Sequence, residues 1–304
     1  LDKQFDSSRK IFTLSHLSVI AVTGKDSAKF LQGQLTCDIN NLSESQASIA
    51  AFCTPKGRVI STLIIVKTAE TFLLILPNSL LDKVLKRLQI YILRAEVALL
   101  DQSETVLLFG LHCLPVAFTS FNLPADDFAV GSHGATFIKL PASSRYLGIV
   151  TQPESLTTLS AQNGFVVGDT EEWRYQDISS GFPWFDEEQS ELYIPQMLHI
   201  DTLGGISFNK GCYTGQEIIA RTHYLGKAKR SLFVAECRDI LESMVCGSAV
   251  LDADTQQSLG NILSYQSYLQ NTRILVVLQS ADAESKNLVL DDAKRTAIKI
   301  VAIN

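Results

Sequence analysis

Apolar and polar positions alternate in two rhythms along this chain. "LSVIAVTG" (17–24) reads as a strand ended by Gly24, and "DSAKFLQGQL" from Asp26 as a short helix with an acidic N-cap. "SIAAFCTPKGRVISTLIIV" (48–66) reads as a hairpin, because Pro55 and Gly57 of "TPKG" suit a chain reversal. "TFLLIL" (71–76) is a further strand. In "SLLDKVLKRLQIYIL" (79–93) the rhythm changes: Leu81, Val84, Leu85, Leu88 and Ile92 fall three and four apart, which predicts a helix with one apolar face. Lys83, Lys86 and Arg87 occupy its other faces and read as a solvated surface.

From residue 105 the outline repeats. "TVLLFGL" (105–111) is a strand, "ATFIKL" and "RYLGIV" form a second pair, and Pro153 to Gly164 predicts a helix opened by proline and closed by glycine. The two halves suggest an internal duplication of an α+β unit. "GDTEEWRYQDISSGF" (168–182) predicts another helix, with Asp169 and Glu172 placed as a capping box. Trp173 and Asp177 share one face of it, four residues apart, and on spacing alone Trp173 reads as core before ligand contact. Beyond Gly226 the texture becomes "RSLFVAEC", "SAVLDAD", "LGNILSYQSY", "TRILVVLQ" and "AIKIVAIN", short strands separated by polar turns. That pattern predicts a small antiparallel barrel or sandwich and a domain boundary near Gly226.

Composition narrows the functions open to such a chain. Its 304 residues, 46% hydrophobic and 19% charged, describe an ordinary globular protein, long enough for two or three domains. A net charge of −6 argues against a broad non-specific nucleic-acid surface, while leaving room for a local basic patch. The six cysteines form no C-x-x-C pair and the five histidines show no ligand spacing, so no metal site is expected. "LDKQFDSSRK" carries no apolar signal core, and no apolar run approaches the roughly 20 residues that span a bilayer. The expectation is a cytoplasmic protein without membrane attachment.

The chemistry concentrates in "SFNKGCYTGQEII" (207–219). "TGQE" reads as a second capping box, with Thr214 as N-cap and Glu217 three residues on. Cys212 then sits just outside a helix N-terminus, where free N–H groups and the helix dipole favour a thiolate. Lys210 and Arg221 add positive charge, and Gln216 and Glu217 supply hydrogen-bonding groups. Gly204, Gly205, Gly211 and Gly215 let the backbone pass close to another molecule. A glycine-rich connector with a buried cysteine is the plain alternative. There is no G-x-x-x-x-G-K loop, no G-x-G-x-x-G and no G-x-S-x-G elbow, so neither nucleotide nor serine hydrolysis has support.

"KGCYTGQE" (210–217) resembles the signature K-G-C-Y-x-G-Q-E of the YgfZ family, folate-binding proteins related to the aminomethyltransferase (T-protein) of the glycine cleavage system. "FLQGQLTCDI", "KGRVIS", "SGFPWFD", "YIPQMLHIDTLGGISFNKGCYTGQEIIAR" and the strand-rich tail fall in family order, so the resemblance spans nearly the whole chain. It implies an α+β fold. Two related folate-binding units (residues 1–226, dividing near 100) surround a central channel, and a C-terminal antiparallel β-barrel (227–304) follows. It implies folate as cofactor, as tetrahydrofolate or a derivative, and a role in tRNA methylthiolation by an iron–sulfur enzyme partner. Maintenance of iron–sulfur enzymes and a link to replication initiation are implied as well. Trp173 matches the second tryptophan of the family's pocket, and the resemblance implies folate contacts from Trp173, the Leu17 position, Tyr213, Gln216 and Glu217. Leu17 stands where the family has a folate-contacting tryptophan, and Ser179 where the related stretch has an acid.

On this reading Cys212 is a reactive thiol or a transient sulfur or cluster ligand, tuned by Lys210 and Arg221. A single thiol cannot hold a cluster alone, so partner thiolates would complete it. The chain reads as an accessory factor more than as an independent enzyme. A tetrahydrofolate-dependent aminomethyltransferase is the competing function, disfavoured because T-proteins lack this cysteine signature. Direct RNA binding is a third, suggested by Lys227, Lys229 and Arg230 after the site.

Overall fold

The computed structural model describes residues 9–113, 123–152, 156, 164–226, 228–238, 244–281, 283 and 287–303. In chain order the first strands are β1 (Lys10–Thr13), β2 (Leu17–Thr23), β3 (Ser48–Cys53), β4 (Val59–Lys67), β5 (Phe72–Pro77) and β6 (Ala98–Asp101). Next come β7 (Leu107–His112), β8 (Val130–Ser132), β9 (Thr136–Lys139), β10 (Arg145–Val150) and β11 (Val166–Val167). The last are β12 (Arg230–Cys237), β13 (Ala249–Asp252), β14 (Ser258–Tyr268), β15 (Asn271–Gln279), β16 (Leu288–Leu290) and β17 (Ala297–Val301). The helices used below are α1 (Ser27–Gln32), α2 (Leu81–Ile92), α3 (Thr170–Ser179) and α4 (Gln216–Leu225). By internal packing the chain parts into two interleaved units. One holds Leu1–Gln32, Asp38–Ile49 and Leu63–Trp173; the other holds Gly33–Cys37, Ala50–Thr62 and Arg174–Asn304.

In the first unit a six-stranded sheet runs β11-β1-β7-β10-β9-β8. Its antiparallel centre pairs Tyr146 with Leu111 and Gly148 with Phe109. Alternate residues of these strands bury Phe109, Leu111, Phe137 and Tyr146 together with Ile11 and Phe165. A second sheet has the order β3-β4-β5-β2-β6. The first six residues of β2 are buried, which is why it reads as a continuous apolar run rather than an alternating one. α2 lays Val84 and Leu88 into the interior, confirming the apolar stripe, although Ile90 and Leu93 remain exposed. The Asp26 carboxylate accepts the backbone N–H of Glu96 at 2.8 Å, which ties the entry of α1 to the segment before β6.

The second unit contains the "TPKG" reversal as expected: the Gly57 N–H donates to the Thr54 carbonyl at 2.8 Å. Its strand-rich end closes into a six-stranded antiparallel barrel, β12-β15-β14-β13-β16-β17. Closure removes sheet edges and decides the barrel over the sandwich. Ala235, Ile262, Ile274, Val276 and Leu278 fill the interior, and register shifts at Val250/Leu251 and Ile262/Ser264 help it bend. β16, three residues long, is a strand the hydropathy pattern did not reveal. The helix expected over Pro153 to Gly164 lies almost wholly outside the described residues.

Candidate functional site

The thiol loop is built in the second unit by contacts far apart in sequence. Thr36 is fully buried; its hydroxyl donates to the Gly205 carbonyl at 2.6 Å and accepts the Ala51 N–H at 2.8 Å. The Ser207 N–H donates to the Thr36 carbonyl at 2.9 Å, so 205–207 is fastened to this one residue. Lys210 is buried, with its Nζ donating to the carbonyls of Leu35 (2.8 Å) and Cys37 (2.7 Å) and lying 4.9 Å from the Tyr213 ring centroid. On the far side of the cysteine, the Thr214 N–H donates to the Gly33 carbonyl at 3.1 Å. The chain is therefore tied at 210 and again at 214, and Gly211 and Cys212 between the ties are exposed.

Cys212 is the one exposed cysteine of the six. Cys37, Cys53, Cys113 and Cys237 are buried and Cys246 is half-buried. Burial pushes the Cys113 thiol up to about 11, and burial, then Asp186, does the same to Cys246. Burial also raises the Cys53 thiol and, next to it, the Tyr213 phenol. These raised groups are held neutral, and the thiol most open to another molecule is Cys212.

The helix entry differs from the capping box read in "TGQE". The N-cap is Gly215, in the left-handed region at φ 87°, with no side-chain cap bond. A Cβ at 215 would lie 2.6 Å from the Thr54 carbonyl oxygen and 2.9 Å from the Gly57 Cα, so the turn of the β3–β4 hairpin packs where a side chain would go. Thr214 is thereby moved outside the cap, and its hydroxyl meets the Gln34 side chain at 3.3 Å instead. Lys210 also departs from its expected role. Its ammonium clamps two backbone carbonyls from a buried position. Arg221 and Glu217 are exposed on α4, and Gln216 is half-buried.

Trp173, Leu17 and Tyr213, read from the sequence as ligand contacts, occupy interior positions. Trp173 is 1% exposed. Its ring packs over Gly110 of β7, where a Cβ would come within 2.5 Å of it. The Arg145 guanidinium stands 4.8 Å from the ring and Phe12 5.3 Å from it. Lys10 adds a bidentate pair to Glu172 at 2.6 and 2.8 Å at the start of the same helix. Leu17 is buried at the head of β2. The Ser179 hydroxyl bonds back to the Tyr175 carbonyl at 2.8 Å, within its own helix. The sequence reading missed Thr36, Gln34 and Thr54 as the frame of the loop; "FLQGQLTCDI" was the signal for the first two. Among the described residues no group of three His, Cys, Asp or Glu is placed to hold a metal, and no helix is long and apolar enough to cross a membrane.

With this geometry in place, comparison with known proteins defines the class. Residues 3–112 match the GCVT N-terminal domain family. The crystal structure of the glycine cleavage system aminomethyltransferase T from Bartonella henselae superposes with a TM-score of 0.74 over 98% of this chain and 86% of that one. At 14% identity that likeness fixes the T-protein-like fold and nothing more. Sequence relatives are nearer. The tRNA-modifying protein YgfZ of Colwellia psychrerythraea is 31% identical over 229 residues, 73% of this chain and 70% of its own length. That of Photorhabdus laumondii is 36% identical over 231 residues, 73% of this chain and 69% of its own. The chain belongs to the YgfZ family.

Proposed function

We propose that this protein is a folate-binding accessory factor in tRNA modification. It serves methylthiolation and the upkeep of the iron–sulfur enzyme that performs it, with Cys212 as its working thiol. The observation that carries the reading is the exposed sulfur itself. Of six cysteines, one is exposed, on a short span tied at both ends, in a chain whose relatives are named tRNA-modifying proteins. Such a thiol can attack or ligate. Being alone, it can offer one ligand to a cluster or sulfur that a partner carries. Arg221 is exposed on α4.

Folate binding is proposed from the fold. The residues assigned to it from the sequence do not fit a stacking role: Trp173 is enclosed by Phe12, Arg145 and Gly110, and Leu17 and Tyr213 are core. Glu217 is the exposed member of that set and Gln216 is half-buried.

The test is replacement of Cys212 by Ala, with tRNA methylthiolation measured in cells lacking their own copy of the gene. Loss of complementation is expected; undiminished complementation removes the thiol from the mechanism. Robust aminomethyl transfer from a lipoyl carrier would favour the aminomethyltransferase instead.

A further inference from the structure

The exposed edge of α4 carries aromatic rings and cations that the thiol chemistry does not use. His223 lies flat on Phe208, centroids 3.7 Å apart and planes 14° from parallel. Tyr224 meets the two rings edge-on, 4.8 Å from His223 and 6.0 Å from Phe208, and is 64% exposed. Arg221, Lys229 and Lys56 are also exposed, and among the described residues none of the three forms an ion pair. Lys56 belongs to the turn whose Gly57 packs on Ile218 of the same helix. Between Glu217 and Glu236 the sequence contains no acid and four cations, Arg221, Lys227, Lys229 and Arg230.

In a chain of net charge −6 this is a local run of positive charge around the exposed rings of His223 and Tyr224. A protein partner could cover such a patch. Two features favour an unpaired nucleic-acid strand. The Phe208–His223 pair is nearly parallel with His223 exposed, a stack that a flat base extends, and the run of cations without an intervening acid suits a phosphodiester.

We propose that this edge binds a single-stranded segment of RNA. Its bases stack on Phe208, His223 and Tyr224 while its phosphates meet Arg221, Lys229 and Lys56. The proposal deepens the tRNA-modification reading and rests on it only for the identity of the RNA.

The experiment is an anisotropy titration of the full chain against a fluorescein-labelled single-stranded RNA of about ten nucleotides, from about 50 to 200 mM salt. Binding that weakens with salt is expected. Tyr224→Ala should lower affinity about tenfold and Tyr224→Phe should retain it. Arg221→Gln should reduce the log–log salt slope by about 0.7. Both positions are solvent-facing, so unchanged unfolding midpoints will show the variants folded. Absence of binding at the lowest salt, as expected if a protein partner covers this edge, overturns the proposal. So does binding that neither Tyr224→Ala nor Arg221→Gln alters. The methylthiolation assay separates the two readings. A chain that complements but does not bind the oligomer refutes only the RNA surface. A chain that binds but does not complement refutes the tRNA-modification role and leaves the surface standing.

Discussion

Trp173 and Cys212 are the two residues that the sequence singles out most strongly, and they have opposite settings. Trp173, in the first unit, is enclosed by β7, Phe12 and the Arg145 guanidinium, and Gly110 gives up its side chain to admit the ring. Cys212, in the second, stands on an exposed span whose flanks are fastened by buried hydrogen bonds. One position holds the fold together by filling space. The other is held in place by its neighbours while contributing little packing of its own. A conspicuous side chain can therefore mark structure or chemistry, and burial separates the two.

Replacing Trp173 with Ala tests the first half of that contrast and carries the largest expected effect. Removing a fully buried indole should destabilise the chain by about 3 to 5 kcal/mol, read from the urea midpoint at unchanged slope. Trp173→Phe should cost less and leave tetrahydrofolate affinity unchanged. A variant that kept its stability and lost folate would return Trp173 to the ligand site.

Lys210→Met probes the frame around the thiol. The thioether is close in length but cannot donate, so the carbonyls of Leu35 and Cys37 lose a charged donor each. A loss of about 2 to 3 kcal/mol is expected, because hydrogen bonds to charged groups are the stronger ones and buried acceptors are left unsatisfied. If Lys210 instead served the thiol directly, the variant would lose complementation with its unfolding midpoint intact.

What the sequence revealed and what it hid divide along the same line. The reversal at Pro55 and Gly57, the stripe of α2 and all but one of the barrel strands are local patterns, and the structure reproduces them. β16 is three residues long, too short for alternation to register. The capping box at Thr214 failed because a turn some 160 residues earlier packs against Gly215 and dictates its conformation, a contact no local pattern records. Thr36 was hidden for the same reason: its partners are Gly205 and Ala51. The fate of Trp173 depended on Gly110 and Arg145, each distant in sequence. Cys212 was legible as a reachable thiol, and the structure exposes it; the distant residues that anchor its loop were not legible.

Each unit also contains a histidine whose protonation the fold opposes, and together they give a smaller, pH-dependent effect. Burial, then Arg145, lowers the pKa of His112; burial lowers that of His199 against the opposing charge of Asp201. Below the ordinary histidine range the unfolded chain binds these protons more readily than the folded one. Stability contributed above about pH 6.5 is thus lost as pH falls through the lowered folded values. Urea midpoints should decline from pH 7 to pH 5, and His112→Asn and His199→Asn should each flatten that decline. A slope unchanged in both variants would assign it to carboxylates.

The smallest expected change in stability belongs to Cys212→Ala, and it is the most informative. An exposed side chain between two anchored residues should cost no more than about 0.5 kcal/mol when truncated. Alkylation of the native protein at neutral pH should label Cys212 ahead of the buried Cys37, Cys53, Cys113 and Cys237. The variant should therefore fold as the parent does and lose that label together with tRNA methylthiolation. Trp173→Ala should lose function only in proportion to the fraction unfolded. If Cys212→Ala proved costly to stability, the loop would be packing its sulfur inward, and the contrast between a residue that fills the fold and one that the fold presents would fail.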